Sequence, residues 1–313
     1  MNSSNSSLKI FLLIIIIVSF VGCQPKPNYT IVKGKLLGSD NPSLIMANVS
    51  LNYTTGGKAI QVIDVNKDGS YEIELKHDGL FNLSFSGVNH EAITVPILND
   101  KRETIILNIK LQRYNYNDKF EDVNIIGDFN HFSFRSAQRM TKQNDGTFTA
   151  EFKTDKDSLA YQLLGVEKTG RSINGTMTDK YVYDGGGDYR SVVAVKDGKV
   201  KIVFDPSKIK RDETKSEVTF NNDDRQTKLY SLKKQLEARE KKYRIEASKT
   251  PGQKPQIDNT NDFAKIKQKI ESSKNDFDRN IQYINYLHLA EISGENQDNE
   301  IVKDAFKNIE PSS

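Results

Sequence analysis

Between residues 31 and 111 apolar and polar positions alternate with a period of two. Val49, Leu51 and Tyr53 share one side of a short run, as do Tyr71, Ile73 and Leu75. Phe81, Leu83 and Phe85 repeat the pattern, and so do Ile105, Leu107, Ile109 and Leu111. Gly56-Gly57, Asp68-Gly69, Asp78-Gly79 and Asn99-Asp100 punctuate the runs. About seven short strands separated by such turns predict a small β-sandwich over residues 30–113. A second β region follows over 118–205. It closes on Asp197-Gly198, a two-residue turn between Val192–Val195 and Val200–Phe204. After Pro206 the period becomes helical. Leu229, Leu232, Leu236 and Tyr243 lie three, four and seven apart, and Pro251 to Pro255 interrupt the pattern. Phe263, Ile266, Ile270, Phe277, Ile281, Ile284 and His288 then form a second stripe close to a heptad seam. A short third helix around Ile301, Ala305 and Phe306 stops at Pro311. The predicted fold is mostly β with an α-helical C-terminal region: two tandem β-sandwiches, then an antiparallel helical hairpin and a short helix over 206–313.

The N-terminus has a different pattern. Ile10 to Val21 is apolar except for Ser19, and these 12 residues follow Lys9. At about 1.5 Å per residue such a run spans roughly 18 Å, short of a bilayer core of about 30 Å. It reads as the core of a signal peptide over residues 1–22 and not as a spanning helix. Phe20-Val21-Gly22-Cys23 closes it and resembles a bacterial lipobox. That resemblance implies that Cys23 is the lipid-attachment residue, that 23–29 is a tether, and that the body hangs from a periplasm-facing membrane of the cell envelope. Membrane attachment through the N-terminal lipid is thus the first expected partnership.

Composition narrows the chemistry. The chain of 313 residues carries 45 Lys+Arg against 42 Asp+Glu, a net charge of +3, so no global field points to nucleic acid. Residues 206–254 hold 14 basic and 8 acidic side chains, and 255–313 hold 7 and 11, so the two helical halves attract each other. A single cysteine excludes an internal disulfide framework and a CxxC pair. The four histidines stand apart with no HxxxH spacing, and GxSxG and HExxH are absent. Asp64-Val-Asn66-Lys-Asp68-Gly69 has the first half of a calcium loop, but its twelfth position is Leu75, and a hairpin turn explains the run more simply. Neither catalytic residues nor a metal or other cofactor is expected, and the chain reads as a non-catalytic binding or scaffold module.

Three resemblances bear on that reading. Gly34, Val49-Ser-Leu51, Asp68-Gly69-Ser70-Tyr71, Phe81-Asn-Leu83 and Gly87 resemble, in order, the carboxypeptidase regulatory-like domain, which implies a non-catalytic spacer. Ile126-Gly127-Asp128-Phe129-Asn130-His131-Phe132, Asp145-Gly146 and Ala160-Tyr161-Gln162-Leu163 resemble the glycogen-binding, early-set sandwich. This second resemblance implies a possible glycan partner of the α-glucan kind. The chain has no tryptophan, so Phe132 at the corner and Tyr181, Tyr183 and Tyr189 around Asp184-Gly185-Gly186-Gly187-Asp188 are its candidate stacking residues. The order of anchor, two β domains and helices resembles the N-terminal part of membrane-anchored thioredoxin-like proteins, whose CxxC domain this chain lacks. A protein partner, a glycan, or a role accessory to a disulfide reductase are the alternatives left open.

Overall fold

The computed structural model describes residues 29–39, 44–53, 58–100, 103–175, 180–253, 255–294 and 299–309. Cys23, the signal segment and the Gly56-Gly57 turn lie outside them. In the first sandwich, one sheet has the order β16-β7-β1-β4: Glu217–Phe220, Thr104–Leu111, Thr30–Gly38 and Ser70–Leu75. The facing sheet has the order β3-β2-β5-β6: Gln61–Asp64, Ala47–Asn52, Gly79–Gly87 and Ile93–Asn99. The alternation read from the sequence points into the gap between them. Val49, Leu51, Ile73, Leu83, Phe85, Ile105, Leu107, Ile109 and Leu111 are all buried in one core. Each large side chain so removed from water contributes roughly 1.5–3 kcal/mol. Tyr53 departs from its stripe and is 57% exposed. Gly34 is required at its position, because a Cβ there would lie 1.9 Å from the Leu107 carbonyl oxygen, which also accepts the Tyr71 hydroxyl at 2.7 Å.

The second sandwich has a five-stranded sheet of order β13-β14-β12-β8-β9: Lys180–Gly185, Asp188–Ala194, Ser158–Leu164, Asn124–Gly127 and Gln138–Arg139. It packs on β10-β11-β15: Thr141–Lys142, Phe148–Lys153 and Lys199–Phe204. Tyr161, Leu163, Phe148, Ile202 and Phe204 fill the space between the two sheets. The Gly127–Asn130 corner is closed by one side chain: Asn130 accepts the Gly127 amide at 2.9 Å and donates to the Ser133 and Ser136 carbonyls at 3.1 and 2.8 Å.

The C-terminal region corrects the sequence reading in three places. First, the stretch from 206 is not all helix, because Glu217–Phe220 returns as β16 and pairs antiparallel with β7 of the first sandwich. Val218 and Phe220 do alternate with Glu217 and Thr219, but a run of four residues is too short to stand out from its charged surroundings. Second, the long second helix is two helices, broken at Ser273-Lys274-Asn275 where Asn275 caps the next start. We number the helices α1 (Asp224–Lys249), α2 (Thr260–Ser272), α3 (Asp276–Ser293) and α4 (Asn299–Ile309). Third, α1 packs mainly on α3, which runs parallel to it and not antiparallel as the hairpin reading expected. Arg239 of α1 donates to the Asn285 carbonyl at 3.2 Å and its amide oxygen at 2.8 Å, and Lys228 meets Asp278 at 2.9 Å. The opposite face of α3, with Tyr283, Tyr286 and Leu289, packs on α2 and α4. Ile284 falls between those faces and is 37% exposed, so the single expected stripe is divided. His288 is half-buried and bridges polar groups: its Nδ1 accepts from Arg239 at 3.2 Å and its Nε2 lies 3.3 Å from Glu240.

Candidate functional site

The four candidate aromatics do not form one surface. In the β13–β14 ladder Tyr183 lies opposite Tyr189, Tyr181 opposite Ser191, and Val182 opposite Arg190. Alternation therefore puts the three tyrosines on one face of the sheet and Val182 and Arg190 on the other. Phe132 belongs with the second group: the Arg190 guanidinium lies 3.8 Å over its ring and is tied to Asp184 at 2.5 Å. His131 and Phe132 both have left-handed backbones, with φ of 53° and 57°. This uncommon pair is what turns the Phe132 ring onto Arg190.

Tyr189 is fully buried, and its position explains the glycine loop. Its hydroxyl donates to Asn48 Oδ1 at 3.1 Å and lies 3.0 Å from Ser86 Oγ, both on the outer face of the first sandwich. Gln162 donates to the Tyr189 carbonyl from behind at 3.0 Å. Gly185, Gly186 and Gly187 all have positive φ, and a Cβ on Gly187 would lie 2.7 Å from the Ala92 Cβ. Of the Asp184–Asp188 loop, expected from the sequence as a ligand surface, Gly187 thus docks on the neighbouring domain while Gly185 and Gly186 stay exposed. Asn174 completes the seam by accepting from the Asn89 amide at 3.2 Å and donating to the Asn89 side chain at 2.8 Å. Among the candidates, Phe132, Tyr181 and Tyr183 keep part of their surface.

A cleft of about 650 Å³ lies where the two linkers between the sandwiches meet α1. Its charged groups mostly hold the linkers. Arg211 donates to the Tyr116 and Asn117 carbonyls at 3.1 and 2.6 Å, and Lys168 pairs with Asp118 at 3.0 Å. Behind Tyr114, which lines it, the Arg171 guanidinium lies 5.0 Å over the Tyr114 ring and 3.9 Å from the buried Glu167. Burial raises the Glu91 and Asp188 carboxyls above their ordinary range, and the Arg171 charge partly offsets this. The cleft reads as a stapled junction and not as a charged receptor.

The calcium-like run is a hairpin turn. Asp68 accepts the Ser70 amide at 3.0 Å and the Lys35 ammonium at 2.6 Å, and Asp64 accepts from Asn48 at 2.6 Å. Among the described residues no cluster of His, Cys, Asp or Glu is arranged to hold a metal ion.

No protein-family model matches the chain, and no curated protein matches it. Among solved structures, catechol 1,2-dioxygenase from an Acinetobacter species is similar over 30% of this chain and 55% of that one, at 12% identity and TM-score 0.21. This chain thus spans about half the length of that enzyme. A putative carbohydrate-binding protein from Bacteroides uniformis is similar over 59% of this chain and 81% of that one, at 12% identity and TM-score 0.22. SusF from Bacteroides thetaiotaomicron is similar over 56% and 49%, at 16% identity and TM-score 0.21. All three similarities are too slight to assign a family.

Proposed function

We propose that this chain is a lipid-anchored protein of the bacterial cell envelope, a non-catalytic binding module that holds its second sandwich away from the membrane. The observation that carries this reading is the parallel register of β1 and β7, in which Ile31 lies opposite Thr104 and Gly38 opposite Leu111. The tether enters at the Thr30 end of the sheet, and the chain leaves for the second sandwich from the Leu111 end. Nine residues of strand separate the two ends by about 27 Å. Tyr189 and Asn174 fix the second sandwich at that far end, while β16 runs back along β7 so that α1 starts beside Thr104 and Asp100. The anchor rests on the sequence around Cys23. Among the described residues no helix is long and apolar enough to cross a membrane. Cell fractionation after Cys23→Ala tests the proposal: the variant should leave the membrane fraction or accumulate as precursor, and lose acyl labelling. A variant processed and fractionating like the wild type would overturn it.

An α-glucan-like ligand on the second sandwich is a narrower reading. It would rest on Phe132, Tyr181 and Tyr183, which lie on opposite faces of one sheet, so any single glycan surface uses only one side.

A further inference from the structure

Each of the four sheets ends in strands whose outer N–H and C=O groups can template a further strand unless length, charge or a cover prevents it. β9 and β10 have only two residues each. Gln226 of α1 covers β6, accepting the Leu98 amide at 3.0 Å and donating to its carbonyl at 2.7 Å. β3 and β16 have four residues each. The longer edges β4 and β15 carry like charges two residues apart, Glu72 with Glu74 and Lys199 with Lys201. Antiparallel pairing of either strand with its own copy, centred on the residue between, sets like charges opposite each other, which is unfavourable. β15 also starts at the tip of the second sandwich, beyond Ala194, where Lys199 lies opposite both Lys196 and Lys153 in a row of three lysines.

The edge strand β13 has the opposite charge pattern. Lys180-Tyr181-Val182-Tyr183-Asp184 places one cation and one anion at equal distances from Val182. Turned about Val182 onto a second copy, the strand sets Lys180 opposite Asp184 at both ends, Tyr181 opposite Tyr183, and Val182 opposite Val182. Opposite charges and aromatic pairs at directly facing positions both favour a ladder. Val182 is 52% exposed and lies opposite Arg190 on the outer face of the sheet. Arg190 holds Asp184 to that face through one carboxylate oxygen, Oδ1, at 2.5 Å. The bulge in β13 begins after Tyr183, so the three central pairs fall on regular strand. We propose that β13 is a self-association edge, along which two copies of this chain join antiparallel about a two-fold axis through Val182. The other oxygen of Asp184 then takes the ammonium of the facing Lys180. Such a contact uses the same patch on both copies and closes at two, so it does not propagate.

The test uses the chain from residue 23 onward carrying Cys23→Ser, so that no acyl group drives association and no native thiol is present. Sedimentation equilibrium should show a monomer–dimer equilibrium, weak because two such short strands bury little area. Val182→Lys, at an exposed position, sets two ammonium groups face to face on the axis and should weaken dimerisation by about tenfold or more. Lys180→Asp and Asp184→Lys should each be monomeric alone, yet equimolar mixing should form a heterodimer, since both ends then pair opposite charges. Directly opposite Cα atoms lie about 4.5–5.5 Å apart, within disulfide range, so Val182→Cys should cross-link under mild oxidation at least about tenfold faster than Val62→Cys on the edge strand β3. A chain that stays monomeric up to about 0.5 mM would overturn the proposal. So would a dimer unmoved by the folded Val182→Lys variant, equal cross-linking at the two positions, or no heterodimer from a folded charge pair. If Asp184→Lys, which loses the Arg190 pair, fails to fold, the Val182 variants decide the question.

Discussion

The seam between the sandwiches and the tip of the second one lie at opposite ends of β14 and treat polar groups in opposite ways. At the seam Asn48, Ser86, Asn89, Asn174 and Tyr189 are removed from water only with hydrogen-bond partners in place. Burying them unpaired would cost about 1–3 kcal/mol each. At the tip, Lys153, Lys196 and Lys199 stay in water and repel one another. Buried polar groups are paired where the domains meet, and the unfavourable like-charge contacts sit in solvent at the tip.

Breaking the seam should have the largest effect. Tyr189→Ala empties a site that is 0% exposed and strands its partners, so a loss of about 3–5 kcal/mol is expected in denaturant unfolding. Tyr189→Phe, which removes only the hydroxyl, should cost about 1–2 kcal/mol. Arg239→Ala comes next. It leaves the buried Asn285 without its guanidinium and should lower the stability of the helical region by about 1–3 kcal/mol, read by circular dichroism melts of the whole chain. Gly187→Ala puts a Cβ 2.7 Å from Ala92 at a φ of 93°. A left-handed backbone alone costs a residue with a side chain about 1–2 kcal/mol. The same unfolding measurement should show at least that loss.

Acidity offers a gentler probe of the seam. Burial, the main cause, raises the folded-state affinity of Glu91 and Asp188 for a proton above that of the unfolded chain. The folded state therefore binds more protons in the window just above the ordinary carboxylate range. Their contribution favours folding when they are protonated and is lost as pH rises through their raised folded values. Asp145 and Asp278, lowered by hydrogen bonds, act oppositely and lose their contribution as pH falls. Comparing denaturation midpoints of the wild type and of Glu91→Gln with Asp188→Asn isolates the seam. The double variant should lose the component that declines with rising pH. The smallest expected effect lies at the tip. Lys199→Glu converts two like-charge neighbours into opposite pairs and should raise stability by about a few tenths of a kcal/mol. A clear destabilisation would contradict the account of the lysine row.

What the sequence determined by itself was local. Period-two alternation at Ile105, Leu107, Ile109 and Leu111 matches a strand buried on one face, because successive side chains must point to opposite sides. Asp197-Gly198 set a hairpin, since only such residues readily accept two positive φ values, and that turn already implied that Lys196 faces Lys199. The apolar stripes after Pro206 placed helices, although the capped break at Asn275 was hidden inside one stripe. Tertiary structure decided what these elements touch. Tyr183 and Tyr189 look alike in sequence, yet one keeps part of its surface and the other is sealed against Asn48, 141 residues away. Ile281 and Ile284 share the stripe, but α3 meets α1 on one side and α2 with α4 on another, so only Ile281 is buried. The alternation of β16 covers only four residues, which gain a strand's stability only from the ladder that β7 offers them. Periodicity constrains a segment's own geometry, whereas burial depends on chain brought from far along the sequence. The lysine row needed both: a turn legible in Asp197-Gly198, and the β11–β15 register that set Lys153 beside it.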